Sequence, residues 1–192
     1  MNEKPCGLIV AIPPALETEW AVRLSELVAS FRPAALIVRP SRENAALVKA
    51  AAPLELAVLV AGEIREAARA GATGVWFPSS EDADFAGARK ALGADAILGA
   101  GCGVSRHAAM EAAEAGVDFL AFDATVDLDA AVDASAWWDE VAEVPVAFIV
   151  GATKPERARV LDARPDFLLV EESVTAGESL IFATEFGLQS QT

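Results

Sequence analysis

Ala96-Ile97-Leu98-Gly99-Ala100-Gly101-Cys102-Gly103-Val104-Ser105-Arg106-His107 runs on through Ala108-Ala109-Met110-Glu111-Ala112-Ala113-Glu114-Ala115-Gly116-Val117-Asp118 to Phe119-Leu120-Ala121-Phe122. A short apolar run ends in glycines, a serine stands where a helix can start, and an Ala- and Glu-rich stretch follows. Gly116 then closes that stretch before a second apolar run begins. This is the pattern of strand, helix and parallel strand, with Ser105 as helix cap and Gly116 as a left-handed stop. Neither apolar run alternates with polar residues, so both strands are expected to be covered on both faces, as in a parallel sheet.

The same unit recurs outward in both directions. Apolar runs lie at 8–12, 35–38, 56–60, 74–77, 96–99, 119–122, 146–150 and 167–170. Between and after them, stretches of helical composition cover 17–31, 43–51, 63–70, 84–92, 107–115, 128–141, 155–161 and 177–186. Spread over 192 residues, each unit has about 24, enough for about 5 residues of strand, about 10 of helix and short loops. Such a repeat can close into a (β/α)8 TIM barrel or remain an open doubly wound sheet, and a set of eight favours closure. The expectation is a compact α/β barrel forming one domain over residues 1–192. Ser41 is a second candidate cap, Gly71 and Gly93 are candidate helix stops, and Pro33, Pro145 and Pro165 precede strands.

Composition narrows the partners. Hydrophobic residues make up 54% of the chain, which excludes bulk disorder. The formal charge of −14 repels phosphate backbones and anionic lipid, so neither nucleic acid nor a membrane surface is expected as partner. No apolar run reaches the roughly 20 residues of a bilayer span, and Met1 to Cys6 does not resemble a secretory leader, so a cytoplasmic location is expected. Cys6 and Cys102 lack companions at metal spacing and read as buried small hydrophobes at opposite ends of the barrel. Trp137-Trp138 lies on a predicted helix and suits interhelical packing or a homo-oligomer contact. The expected ligand is a small molecule, with no organic cofactor and no bound metal.

In a barrel, chemistry gathers where the strands end. His107, the only histidine, falls just after the fifth strand and is the best candidate for proton transfer; it equally suits the first turn of a helix. Gly103 and Ser105 can cradle an anion with backbone N–H groups and a hydroxyl, or simply make a tight turn. Glu81, Asp82 and Asp84, then Asp123, Asp127 and Asp129, then Glu171 and Glu172 are acids that could chelate Mg²⁺ or stand as solvated loop residues. Glycine-rich nucleotide loops and a Gly-x-Ser-x-Gly elbow are missing, and Lys154 precedes a predicted helix where a Schiff-base lysine would lie within a strand.

Gly103-Val104-Ser105-Arg106-His107, followed by Ala115-Gly116-Val117-Asp118-Phe119-Leu120, resembles the Gly-x-Ser-x-His, helix, Gly-Ala-Asp-Tyr-Ile stretch of the thiamine phosphate synthase and thiazole tautomerase (TenI) superfamily of barrels. Ala70-Gly71-Ala72-Thr73-Gly74-Val75-Trp76 is similar to its Ala-Gly-Ala-Asp-Gly-Val-His segment, and Leu36-Ile37-Val38-Arg39 to its Gln-Leu-Arg strand. Val144 to Ala152 is similar to its Ile-Pro-Val-x-Ala-Ile-Gly-Gly-Ile run. The resemblance implies a thiamine-pathway role, with a thiazole or pyrimidine phosphate bound by Arg39, Gly103, Ser105, Thr125 and Gly151. In its tautomerase branch, His107 would move a proton on a thiazole phosphate.

Several positions depart from that pattern. Ser41 stands where active synthases have a lysine, and Ala61-Gly62 where they have Asn-Asp with a Mg²⁺-binding aspartate. Only Glu81 or Asp82 could supply the second metal carboxylate. Thr-x-Thr-Lys becomes Thr125-Val126-Asp127-Leu128, and the final phosphate site becomes Val150-Gly151 with Glu172. Joining a pyrimidine pyrophosphate to a thiazole phosphate needs cations against the leaving pyrophosphate, and most of those positions are neutral or acidic. Two expectations remain: a tautomerase using His107, or a barrel that binds a ligand or partner without turnover.

Overall fold

A computed structural model describes residues 6–12, 20–150 and 157–171. Its strands are β1 (Gly7–Ile12), β2 (Ala35–Val38), β3 (Ala57–Ala61), β4 (Gly74–Phe77), β5 (Ile97–Gly101), β6 (Phe119–Asp123), β7 (Val146–Val150) and β8 (Phe167–Glu171). All neighbours pair in parallel, and β8 returns to β1, closing the expected barrel. Around it lie α1 (Trp20–Phe31), α2 (Asn44–Ala51), α3 (Ile64–Ala70), α4 (Phe85–Leu92), α5 (Arg106–Glu114), α6 (Leu128–Val141) and α7 (Arg157–Asp162), with a 3₁₀ turn at Ala52–Leu54. The helix expected at 177–186 lies outside the described residues.

Two buried clusters follow from strand alternation. Outward-facing Leu8, Val10, Leu36, Val58, Val60, Val75, Leu98, Leu120, Phe122 and Phe148 pack under the helices. Inward-facing Ile9, Ala35, Ile37, Leu59, Trp76, Phe119, Ala121, Ala147 and Leu169 fill the barrel. With the observed register, inward residues from alternate strands share a layer, four to a layer. Ala35, Gly74, Phe119 and Phe167 form one such layer, and Ile37, Trp76, Ala121 and Leu169 form the next even-strand layer toward the C-terminal mouth. The Trp76 indole stacks on Phe119, with ring centroids 5.6 Å apart and planes 7° apart, and Phe119 meets Phe167 edge-on at 6.3 Å.

Glycine makes room for these rings. A Cβ on Gly99 would enter the Phe119 ring, one on Gly7 the Phe167 ring, and one on Gly74 the Ile97 carbonyl.

The opposite, N-terminal end is tied by a repeated hydrogen-bond clasp. Thr73 donates its N–H to the Val58 carbonyl (2.9 Å) while its Oγ1 accepts from the Val58 N–H (3.1 Å). Asp118 does the same with Leu98 (2.8 and 2.7 Å), and Asp166 with Val146 (2.8 and 2.9 Å). Ala34 makes only the backbone half, to Leu8 at 2.7 Å. Each clasp joins an odd strand to the start of the next even one. Arg89 adds a cross-link there, donating to Asp118 and to the Gly116 carbonyl, both at 2.8 Å.

Cys6 precedes β1 at this end and Cys102 follows β5 at the other, and both are free. Cys102 is buried and Cys6 partly so. Burial raises both thiols to about 11, helped at Cys6 by the negative charge of Asp166.

Two outcomes are expected. Gly74→Ala should lower unfolding free energy by about 1 to 3 kcal/mol or more in urea titrations, because its Cβ meets backbone that cannot rotate away; an unchanged midpoint would contradict the packing described. Both thiols should resist a thiol reagent in the folded protein and react fully, without reductant, once it is denatured. Their folded values lie above their ordinary value of 9, so ionisation favours the unfolded chain: the thiol contribution is complete below pH 9 and is lost as pH rises toward 11. The melting temperature should fall across that window, and less steeply in Cys102→Ala.

Candidate functional site

Above the Trp76 layer, the next inward layer toward the mouth is Ala11, Ala61, Gly101 and Ile149. Ile37, Trp76 and Leu169 are 4–5% exposed, whereas Ala11, Ala61 and Ile149 are only partly buried. Solvent therefore reaches the barrel down to about this layer. Asp123, the last residue of β6, continues the inward alternation at the rim, and the Glu171 backbone pairs with Ala11.

The loop after β5 is built by Gly103 and Ser105. Gly103 has φ +56°, a left-handed conformation costly for residues with a Cβ, and its carbonyl accepts the Asp123 N–H at 2.7 Å. Ser105 caps α5, its Oγ accepting the Ala108 N–H at 3.2 Å. Thr125 donates both its N–H (2.9 Å) and its hydroxyl (2.6 Å) to Asp123 Oδ1. The β5 and β6 loops are thus joined, bringing Gly103, Ser105 and Thr125 to one side of the mouth.

Arg39 lies exposed just past β2. Its backbone carbonyl accepts from Asn44 Nδ2 at 2.9 Å, and Asn44 is 2% exposed at the start of α2. That buried amide fixes the loop carrying Arg39; it was not legible in the sequence, where Glu43-Asn44 reads as an ordinary helix start. Gly151 lies outside the described residues, as do Lys154 and Glu172.

His107 occupies the first turn of α5, with its side chain 82% exposed and its Nε2 3.4 Å from Glu111 Oε1. The buried residues of α5 are Ala109 and Ala112. At 100° per residue, His107 lies on nearly the opposite face of the helix from them. Arg106 is taken up by α6, its guanidinium 5.1 Å from the Trp137 ring centre. Trp138 is buried and donates Nε1–H to the Val144 carbonyl at 2.9 Å, so it packs between helix and loop.

The acids of the mouth divide by role. Asp84 and Asp127 cap α4 and α6, accepting from Gly87 N (2.8 Å) and Ala130 N (3.0 Å). Ser41, expected to cap, instead accepts from the Glu43 N–H in a local turn (3.2 Å), and Glu43 precedes α2 without a side-chain cap. Glu81 and Asp82 are exposed. Among the described residues no three His, Cys, Asp or Glu side chains come together as a metal site. Ala61 and Gly62 carry no ligand atoms beyond backbone, so the described mouth does not fit the Mg²⁺ of an active synthase.

Comparison with known proteins agrees with this frame. A family profile described as thiamine monophosphate synthase matches residues 35–173. The thiamine-phosphate synthase of Erythrobacter litoralis is 35% identical over 144 residues, covering 70% of this chain and 67% of that protein. That of Rhodospirillum centenum is 40% identical over 111 residues, covering 54% and 53%. Among solved structures, thiamine phosphate pyrophosphorylase from Pyrococcus furiosus matches with a TM-score of 0.71 over 96% of this chain and 94% of that one, at 23% identity. A tryptophan synthase chain from M. tuberculosis reaches the same TM-score at 15% identity, so the barrel by itself does not specify chemistry. With the profile spanning most of the barrel and the relatives agreeing in name, the chain belongs to the thiamine monophosphate synthase family.

Proposed function

We propose that this protein binds a thiazole or pyrimidine phosphate at the C-terminal mouth of the barrel and does not carry out the metal-dependent condensation by which a thiamine-phosphate synthase joins the two. The carrying observation is the mouth of β3 and β4, where Ala61-Gly62 offers no carboxylate and Glu81 and Asp82 join no metal cluster among the described residues. Expulsion of pyrophosphate builds negative charge that must be met by cations. Arg106, a cation at the start of α5, is held on α6 over Trp137. Binding asks for less: Arg39 supplies charge and directional reach, and backbone N–H groups of the Gly103-Val104 turn and the start of α5 supply donors, the Ser105 N–H being taken by the Cys102 carbonyl at 2.9 Å.

A proton-transfer reading rests on the His107–Glu111 pair, 3.4 Å apart, because an imidazole beside a carboxylate is a usable acid–base unit. The position of His107, opposite the buried face of α5, supports binding over that reading.

A thermal-shift panel of thiazole phosphates, pyrimidine phosphates and their non-phosphorylated forms tests the proposal. At least one phosphorylated compound should raise the melting temperature more than its non-phosphorylated form; ligand at 100 times its Kd stabilises by about 2.7 kcal/mol. Incubation with Mg²⁺ and both synthase substrates should give no thiamine phosphate above background, and EDTA-sensitive multiple turnover would overturn the proposal. His107→Gln should leave fold and binding unchanged. If wild type isomerises a thiazole-carboxylate phosphate and the variant is slower by roughly 10²- to 10⁴-fold, proton transfer replaces the binding reading.

A further inference from the structure

Strand alternation puts Asp123 on the inward face of β6, after Phe119 and Ala121, and Arg39 in the inward register of β2, after Ala35 and Ile37. β2 and β6 lie four strands apart in the closed ring of eight, so the two residues stand on opposite sides of the mouth. Neither charge is taken up by the protein. Asp123 Oδ1 accepts the N–H and the hydroxyl of Thr125, whereas Oδ2 accepts no hydrogen bond and meets no cation among the described residues. Asn44 and Arg69 hold the loop after β2 by the Arg39 and Ser41 carbonyls (2.9 and 3.1 Å), and the Arg39 guanidinium has no carboxylate partner among the described residues. The turn from Asp123 to Thr125 needs one side-chain oxygen, which an asparagine would supply equally well. The second oxygen and the charge are surplus to it.

We propose that Asp123 is the specificity-determining residue of the ligand site: its second carboxylate oxygen accepts an N–H from the ligand while the phosphate sits across the mouth at Arg39, so an aminopyrimidine phosphate is taken in preference to a thiazole phosphate. This narrows the ligand class within the proposed binding at the mouth and rests on that reading. Eight strands about 4.8 Å apart and tilted about 36° close into a cylinder roughly 15 Å across. An arginine on one wall and an aspartate on the other leave space on the scale of one ring with a short phosphorylated arm. A carboxylate can only accept, and an exocyclic amine gives it the donor of a charge-assisted hydrogen bond. A thiazole ring carries an acceptor and no N–H, so its nitrogen would meet the carboxylate lone pair to lone pair, and a carboxylated thiazole would add a like charge. Opposite placement also sets the direction of binding, because a phosphate turned toward Asp123 is repelled and one turned toward Arg39 is held.

Calorimetric titration with three probes tests this: (4-aminopyrimidin-5-yl)methyl phosphate, pyrimidin-5-ylmethyl phosphate, which lacks the amine, and 2-(thiazol-5-yl)ethyl phosphate. Wild type should bind the amine about tenfold or more tightly than either of the others. Asp123→Asn keeps an oxygen for Thr125 and puts a donor in place of the second one. It should erase the amine preference and tighten the thiazole phosphate, with the melting temperature unchanged. Asp127→Asn removes a negative charge at the α6 cap nearby and should leave the preference intact. If Asp123→Asn does not fold, Asp123→Ser, which also leaves an oxygen for the turn, takes its place. Equal binding of the aminated and deaminated phosphates by wild type, or a preference that survives Asp123→Asn, overturns the inference. Binding at the mouth then stands without it wherever a phosphate still binds better than its parent alcohol. If the phosphates bind no better than the alcohols, the phosphate reading falls, and an amine preference among the alcohols that Asp123→Asn removes still carries the assignment of Asp123. No binding by any of these compounds overturns both.

Discussion

The interior of an eight-stranded barrel must be filled by its own side chains, and here the stack of Trp76 on Phe119, with Phe167 edge-on, meets most of that demand. Three large rings in so narrow a cylinder force their neighbours to be small. Gly7, Gly74 and Gly99 sit where a Cβ would strike a ring or the facing backbone, and Ala35, Ala121 and Ala147 complete the inward set. Rings and small residues share the lower layers, whereas the mouth layer of Ala11, Ala61, Gly101 and Ile149 carries no ring, and this sets the depth at which solvent meets the barrel.

That distribution also separates two kinds of residue along each strand. Outward positions are Leu, Val and Phe under a shell of helices, two of which bury only alanine, α3 with Ala67 and Ala70 and α5 with Ala109 and Ala112. Small helix faces allow close approach to the sheet, which is how helices of seven to nine residues such as α3 and α5 can bury enough surface to be held.

The barrel was legible because buried parallel strands leave continuous apolar runs, and all of those runs fall on strands of the structure. Boundaries failed where the signal is chemically silent: β5 reaches Gly101, beyond the apolar run, because glycine carries no side chain to mark a strand. At the mouth, Ser105 was readable as a cap, but Asp84 and Asp127 looked like free acids and proved to be caps as well. An aspartate before a helix has the same sequence signature whether it binds a cation or an amide. Asn44 was invisible for another reason: Glu43-Asn44 reads as an ordinary helix start, and whether a buried amide finds an acceptor such as the Arg39 carbonyl depends on how the loop after β2 folds back.

The clasps made by Thr73, Asp118 and Asp166 lie at the end of the barrel away from the mouth. Each fastens one strand pair by side chain and main chain together, so the scaffold is anchored at the end opposite the mouth. A chain built this way can exchange exposed rim residues, such as lysine for Ser41, with little effect on folding, whereas Gly62, at φ +70°, is held to glycine by its left-handed backbone. The groups that fasten these strand pairs and the groups of the rim thus lie at opposite ends of the barrel. The clasp at Ala34 is reduced to its backbone half, so β1 and β2 are the one such pair held without a side chain, and their hold rests on main-chain pairing over Ile9 to Ile12.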